Sequence, residues 1–400
     1  MKFCFYCEYK NKMGGHIVLL INLIKGLIEQ NQEVVLFNYE DGLIMKELHG
    51  VSNKVILINI DTVSSEKVVR FVSNEDILMI HGFYTDYTIF IQSNPKVIYY
   101  DIADLISKIS DYKYGIKLRF LAKKLLLKLI NSHSLAFMDD TGIFSLRTDF
   151  GIQVKHPIFL PIPIEVPKEN QFVARKQKVR DTIRISYIGR SVDWKMMPLK
   201  KIIEDVKHME TNKRIEFNLI VDDTLLLTKF ININEYEKDE KLSINVNSNV
   251  KPSELSEFLL RNSDLHFSMG TAALEGSKLG IPTILIDFSS KELPSDYTYR
   301  WLFETENYSL GKNLAKRSFL SGIKIDYLIN TIYSNPQLVN EISNKCYNYT
   351  LENHELEKTT SKFIEIAQKA RFHLASAKPF VPYYYKFHQL AKRVAKNLTF

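Results

Sequence analysis

Four hundred residues exceed one ordinary core and suit two, and 45% hydrophobic with 25% charged residues is the composition of a globular chain, which excludes a disordered or linker-like one. Three cysteines, Cys4, Cys7 and Cys346, are too few for a disulfide scaffold and point to a reducing, cytoplasmic setting. Of the bases behind the net charge of +7, fourteen lie in residues 105–130 and 366–400 against the single acid Asp111, so two local patches replace the broad basic field of a nucleic-acid binder.

In chain order, short and nearly continuous apolar runs at residues 2–6, 34–37, 55–58, 77–80, 97–100 and 135–138 predict strands of a parallel sheet covered on both faces. The run HIVLLINLIKGLIEQ between the first two has helical spacing, and the βαβ unit it makes predicts a doubly wound sheet. Cys4-x-x-Cys7 has the spacing of half a zinc site, but no second pair exists and both lie in apolar FCFYC, so they read as buried structural residues. Residues 113–130 interleave Ile116, Phe120, Leu121, Leu125, Leu127 and Leu129 with Lys117, Arg119, Lys123, Lys124 and Lys128, a layout for a helix that lies on an anionic membrane or packs its leucines on the first domain.

Four prolines in residues 156–181 exclude helix there, giving a first domain at 1–160, a linker at 161–181, a second domain at 182–370 and a basic, aromatic tail at 371–400. After the linker the pattern restarts with strands at 183–188, 215–221, 242–246, 265–268 and 283–286, helices at 198–206, 254–260 and 271–279, and closing helices near 323–334, 336–349 and 355–372. From 378 to 400 the tail adds three consecutive tyrosines and further bases, a second candidate membrane contact or a return to the first domain. No basic-then-apolar leader opens the chain and no apolar run is long enough to span a bilayer.

Doubly wound sheets bind ligands at the carboxyl ends of their strands, which directs attention to three loops. Met13-Gly14-Gly15-His16 follows the first strand and opens a helix, where paired glycines let a backbone approach a ligand. Gly189 ends the first strand of the second domain, and Arg190 and Lys195 emerge where two cations can clamp a diphosphate; the alternative is a solvated lysine and an Arg190–Asp193 pair. In the run from Ser268 to Asp287, Gly270 turns the chain, Thr271 is placed to cap a helix, Glu275 falls one turn later to meet a ribose, and Gly280-Ile281-Pro282 launches the next strand. Acid or base candidates are His16, His81, Asp101 and Asp104, each after a strand, with His81 the first choice. The pairs Asp139-Asp140 and Asp222-Asp223 read as turn residues and helix caps.

Together these motifs resemble the GT-B glycosyltransferases, particularly glycosyltransferase family four, over roughly residues 1–370. The resemblance implies two Rossmann-like α/β domains facing across a cleft, an acceptor in the first and a nucleotide-sugar in the second, no metal and no cofactor. It implies that Arg190 and Lys195 contact the donor diphosphate, Glu275 the ribose and Gly15 the phosphates or sugar, with retention of anomeric configuration. The acceptor it suggests is a growing surface glycan or a lipid-linked one, reached at the inner face of the plasma membrane. The family carries a second glutamate eight positions before the one matching Glu275, and Phe267 stands there, leaving the grip on the donor sugar open. The GTAALEG form also looks like UDP-sugar 2-epimerases, and a catalytically silent glycan-binding relative is a third reading.

Overall fold

Six short strands build the first sheet: β1 (Lys2–Tyr6), β2 (Glu33–Asn38), β3 (Val55–Asn59), β4 (Ile77–Ile80), β5 (Lys96–Asp101) and β6 (Leu135–Phe137). All pair in parallel, in the order β3-β2-β1-β4-β5-β6. Central strands such as β4 are buried at every residue, which is why they read as continuous apolar runs rather than alternating ones. The computed structural model describes residues 1–11, 14–81, 87–102, 115–167, 181–236, 239–248, 250–315 and 322–378; Met13, Gly82, Asp104 and the tail beyond 378 lie outside them. The chain divides into two units, Met1–Ile164 with Leu356–Phe400, and Glu165–Glu355.

The described helices of the first unit are α1 (Gly15–Glu29), α2 (Leu43–Glu47), α3 (Ser65–Phe71), α4 (Gly115–Asn131) and α5 (Thr141–Phe150). In α1, Ile17, Leu20, Ile21, Ile24, Leu27 and Ile28 repeat at helical spacing and are buried. In α4 the buried face is Ala122, Leu125, Leu126 and Leu129, all in the first core, so Leu125 and Leu129 serve packing rather than a bilayer. Phe120 and Leu127 are instead left 57% and 39% exposed, in register with exposed Lys124 and Lys128.

A second six-stranded sheet builds the other unit from β7 (Thr182–Gly189), β8 (Arg214–Val221), β9 (Leu242–Asn247), β10 (Leu265–Ser268), β11 (Thr283–Leu285) and β12 (Arg300–Trp301). Its order, β12-β11-β10-β7-β8-β9, repeats the first with one antiparallel edge, β12, too short to show as a sequence pattern. Helices α6 (Asp193–His208), α7 (Thr224–Thr228), α8 (Pro252–Asn262), α9 (Thr271–Ser277), α10 (Ile325–Ser334) and α11 (Pro336–Asn353) accompany it. The next helix, α12 (Leu356–Lys369), was expected to close this domain and belongs to the first unit instead. Phe363 is the reason: it packs 5.3 Å from Phe3 of β1, ring centre to ring centre, and is fully buried. The described part of the tail stays with the same unit, the Phe372 carbonyl accepting from the Val97 N–H at 2.7 Å.

Candidate functional site

In each sheet the strand order reverses direction beside the first strand, so the loops after β1 and β4, and after β7 and β10, diverge and leave a crevice at the carboxyl ends. His16 and His81 fall beside the first of these points, and Arg190, Lys195, Gly270, Thr271 and Glu275 around the second. The first sheet brings His16, in the first turn of α1, to 6.2 Å ring-to-ring from His81 at the end of β4, with Tyr9 edge-on to His16 at 5.2 Å. Burial, reinforced by His16, pushes His81 down to about 4, so at neutral pH it is an uncharged hydrogen-bonding group. Asp101 does not join them. Its carboxylate lies against the first turn of α5, where a Cβ on Gly142 would sit 1.7 Å from Oδ2. Gly14 precedes α1 with an extended φ of −176°, and a Cβ there would meet nothing closer than the His16 ring at 3.5 Å, so it leaves room for a ligand but is not demanded by the backbone.

The second sheet gathers more. After Gly189 the chain is held down at Ser191, whose N–H donates to the Asp222 carboxylate at 2.6 Å and whose hydroxyl donates to the Asp223 carbonyl at 2.6 Å. Asp223 also caps α7 by accepting from the Leu226 N–H at 2.9 Å, and Asp139 accepts from the Thr141 N–H at 2.8 Å before α5. All three acids are thus engaged by backbone, and among the described residues no three His, Cys, Asp or Glu side chains cluster as a metal site would require.

Arg190 and Lys195 each lie over the indole of Trp194, with Cζ at 6.0 Å and Nζ at 5.3 Å from its ring centroid. Burial pulls Lys195 down to about 8, Arg190 adding to the fall and Asp222 opposing it. Helix α6 starts earlier than the sequence pattern suggested, at Asp193, with Pro198 inside it rather than at its start. A proline has no N–H for the carbonyl four residues back, and that carbonyl, Trp194's, accepts instead from Ser289 N–H at 3.2 Å.

Across the switch point, Gly270 takes φ +60° and ψ −142°, a conformation glycine adopts readily, and a Cβ there would meet nothing within 4 Å. It occupies the cap position of α9, no side chain caps that helix, and Thr271 is its first residue rather than its cap. Glu275 pairs with Lys278 at 2.6 Å, with both side chains under one-fifth exposed. Phe267 is fully buried in β10 and edge-on to Tyr299, so the position eight before Glu275 faces the core.

Three contributors were missed from the sequence. His266 of β10 is fully buried; its Nε2–H donates to the Ala272 carbonyl at 3.0 Å, leaving Nδ1 to accept from the Ser186 hydroxyl at 2.8 Å, so it ties α9 to the sheet. A histidine inside the apolar strand LHFS was the available signal. Residues 310–312 bridge the ends of β10 and β11, Leu310 accepting from Gly270 N–H at 2.7 Å and Lys312 N–H donating to Asp287 at 2.8 Å. Asp287 in turn takes both Arg300 amino groups at 2.8 and 2.9 Å, a pair separated by thirteen residues that no local pattern announces.

No protein-family profile and no curated protein matches the chain. Among solved structures, the chain is similar to Anabaena HepE in complex with UDP and glucose, at a TM-score of 0.58 and 12% identity over 92% of this chain and 99% of that one. It is also similar to a glycosyltransferase from Rickettsia africae (TM-score 0.60, 13% identity, 92% and 98% covered). The lipopolysaccharide outer core galactosyltransferase WaaB in its apo form gives 0.52 at 11% identity, with 92% and 99% covered. The two parallel-dominated sheets have the GT-B architecture of these neighbours.

Proposed function

We propose that this chain is a glycosyltransferase that moves a sugar from a nucleoside-diphosphate donor, a UDP-sugar, to a growing surface glycan or lipid-linked acceptor. The observation that carries the reading is the pair of cations, Arg190 and Lys195, both over the Trp194 ring at the switch point of the second sheet, with open space at Gly270. In such a transfer the bond from the anomeric carbon to the donor phosphate oxygen breaks, the diphosphate leaves with the bonding electrons, and the acceptor hydroxyl oxygen bonds to that carbon as its proton passes to the departing diphosphate oxygen. The charge on the departing diphosphate is met by Arg190 and Lys195, the role a metal ion fills elsewhere, and so the reaction runs without one. Glu275 accepts from the ribose hydroxyls while Lys278 holds one of its oxygens. His16 and neutral His81 line the acceptor side in the first unit. The family resemblance supports retention of anomeric configuration. The complex of HepE with UDP and glucose, on the same fold, supports the choice of donor nucleotide.

The outward face of α4, with Phe120 and Leu127 beside Lys124 and Lys128, supports work at an anionic membrane, on its inner face. Among the described residues no helix is long and apolar enough to cross a membrane.

Calorimetry with UDP, GDP, CDP and their sugars tests the donor, and Arg190→Ala and Glu275→Ala are each expected to weaken nucleotide binding by about 1.5–3 kcal/mol with the fold intact. Unchanged binding in both variants overturns the donor site. Free UDP released only when an acceptor is present supports transfer, whereas a changed nucleotide-sugar with no free UDP makes the chain an epimerase. Activity that survives EDTA supports the metal-free mechanism; loss restored by manganese or magnesium refutes it.

A further inference from the structure

We propose that Trp194 is a positioning residue that holds Arg190 and Lys195 together, ready for a diphosphate, through the negative face of its indole. The inference rests on the donor-site reading above. Two cations five residues apart, one before α6 and one in its first turn, repel each other and would turn apart in solvent; here each lies within reach of the same aromatic ring, Arg190 Cζ at 6.0 Å and Lys195 Nζ at 5.3 Å from its centroid. The ring itself is braced by Phe288, edge-on at 5.7 Å. Its backbone is fixed independently of the side chain, since the Trp194 N–H donates to Asp193 at 2.7 Å and its carbonyl accepts from Ser289 N–H at 3.2 Å.

Lys195 needs such a partner because it is largely desolvated. The charged groups set against it are Arg190, which disfavours its ammonium, and Asp222 at the end of β8, which favours it. The indole adds a second attractive surface that serves both cations at once. A diphosphate then meets two cations already held over one ring, and little side-chain ordering remains to oppose binding. A base-stacking role for Trp194 makes a different forecast, because it would act on the nucleoside rather than the diphosphate.

Calorimetry with UDP, inorganic pyrophosphate and uridine separates these cases for the parent, Trp194→Phe and Trp194→Leu. Trp194→Leu is expected to raise Kd for UDP and pyrophosphate about tenfold while uridine binding is unchanged, and Trp194→Phe to restore most of the loss. The chain has two tryptophans, so fluorinated tryptophan incorporated in a Trp301→Phe background probes the ring without altering its shape; each fluorine weakens the negative face, and Kd for pyrophosphate should climb with fluorination. That readout does not depend on whether Trp194→Leu folds, and a structural role would not move it. A pyrophosphate Kd indifferent to fluorination, or a loss of uridine binding in proportion to UDP, overturns the proposal. If the parent binds neither UDP nor pyrophosphate, the donor-site reading fails and the proposal falls with it; if the parent binds both and the variants match it, only the proposal fails.

Discussion

The Ser191 main-chain N–H donates to Asp222 at 2.6 Å, and the same carboxylate is the acid that supports the charge on Lys195. One side chain therefore fixes the loop and tunes the cation on it. Asp222→Asn keeps an acceptor oxygen but removes the charge, so Lys195 should titrate below about 8 and UDP affinity, followed by calorimetry across pH, should fade at a lower pH than in the parent. Asp222→Ala removes the anchor as well and should weaken binding further, by about 0.5–1.5 kcal/mol for the neutral hydrogen bond that Asn keeps. Superimposable pH profiles for parent and Asp222→Asn would reduce Asp222 to an anchor.

Lys195 is held well below the usual lysine value of 10.5, chiefly by burial. Between about 8 and 10.5 the unfolded chain therefore binds the proton that the folded chain has lost, and stability rises with pH through that window; below it the cost of the buried cation is present in full. Lys195→Met should accordingly be more stable than the parent at pH 7, by on the order of 1–3 kcal/mol, while losing nucleotide binding. Denaturant melts at pH 7 and pH 10 check both halves: the gain should shrink at the higher pH. A variant less stable at pH 7 would show that Lys195 contributes more by packing than it costs by charge.

The parallel sheets were legible because strands buried on both faces leave uninterrupted apolar runs, and β1, β4 and β10 stand where those runs stood. Arg190, Lys195 and Glu275 drew attention because each follows a strand end or a glycine turn. What escaped is long-range. Phe363 on Phe3 moves α12 from one unit to the other, and Leu125 and Leu129 of α4 are core, yet spacing along a helix tells which residues share a face and not what covers that face. Trp194 was passed over because its meaning lies in two cations converging on one ring, and His266 because its partners, Ser186 and Ala272, lie on separate elements.

His266 and His81 are both pushed to about 4 by burial, from an ordinary value of 6.5. Between pH 6.5 and 4 the unfolded chain binds the protons these residues refuse, so their contribution to stability is complete above 6.5 and is lost as pH falls toward 4. Replacing the two histidines singly with glutamine should flatten that part of the stability curve, each by its own share, in denaturant melts at pH 7, 6, 5 and 4. Gly276→Ala is a companion: its Cβ would lie 2.4 Å from the fully buried His266 ring, and overpacking of this kind should cost about 1–3 kcal/mol and displace α9. An unchanged slope in His266→Gln would mean that its ring is not held neutral.

Of the two basic stretches proposed to meet a membrane, the described one, in α4, offers one narrow face. In α4, Phe120, Lys124, Leu127 and Lys128 are exposed at helical spacing, and Lys124 Nζ lies 4.6 Å from the centre of the Phe120 ring. The leucines that would have driven deep insertion are spent in the core, so binding should be shallow, reversible and dependent on anionic lipid, with each lysine near the surface worth about 1 kcal/mol. Liposome flotation of the full chain should recover it with vesicles containing phosphatidylglycerol at low salt and release it at high salt or with neutral vesicles. Lys124→Glu with Lys128→Glu should abolish recovery. Phe120→Ser with Leu127→Ser should weaken it while leaving the melting temperature unchanged, because neither side chain supports the core. Equal recovery in the unbound fraction for parent and variants, under every lipid and salt condition, would leave α4 a packed helix with a solvated outer face and remove the membrane from the proposed function.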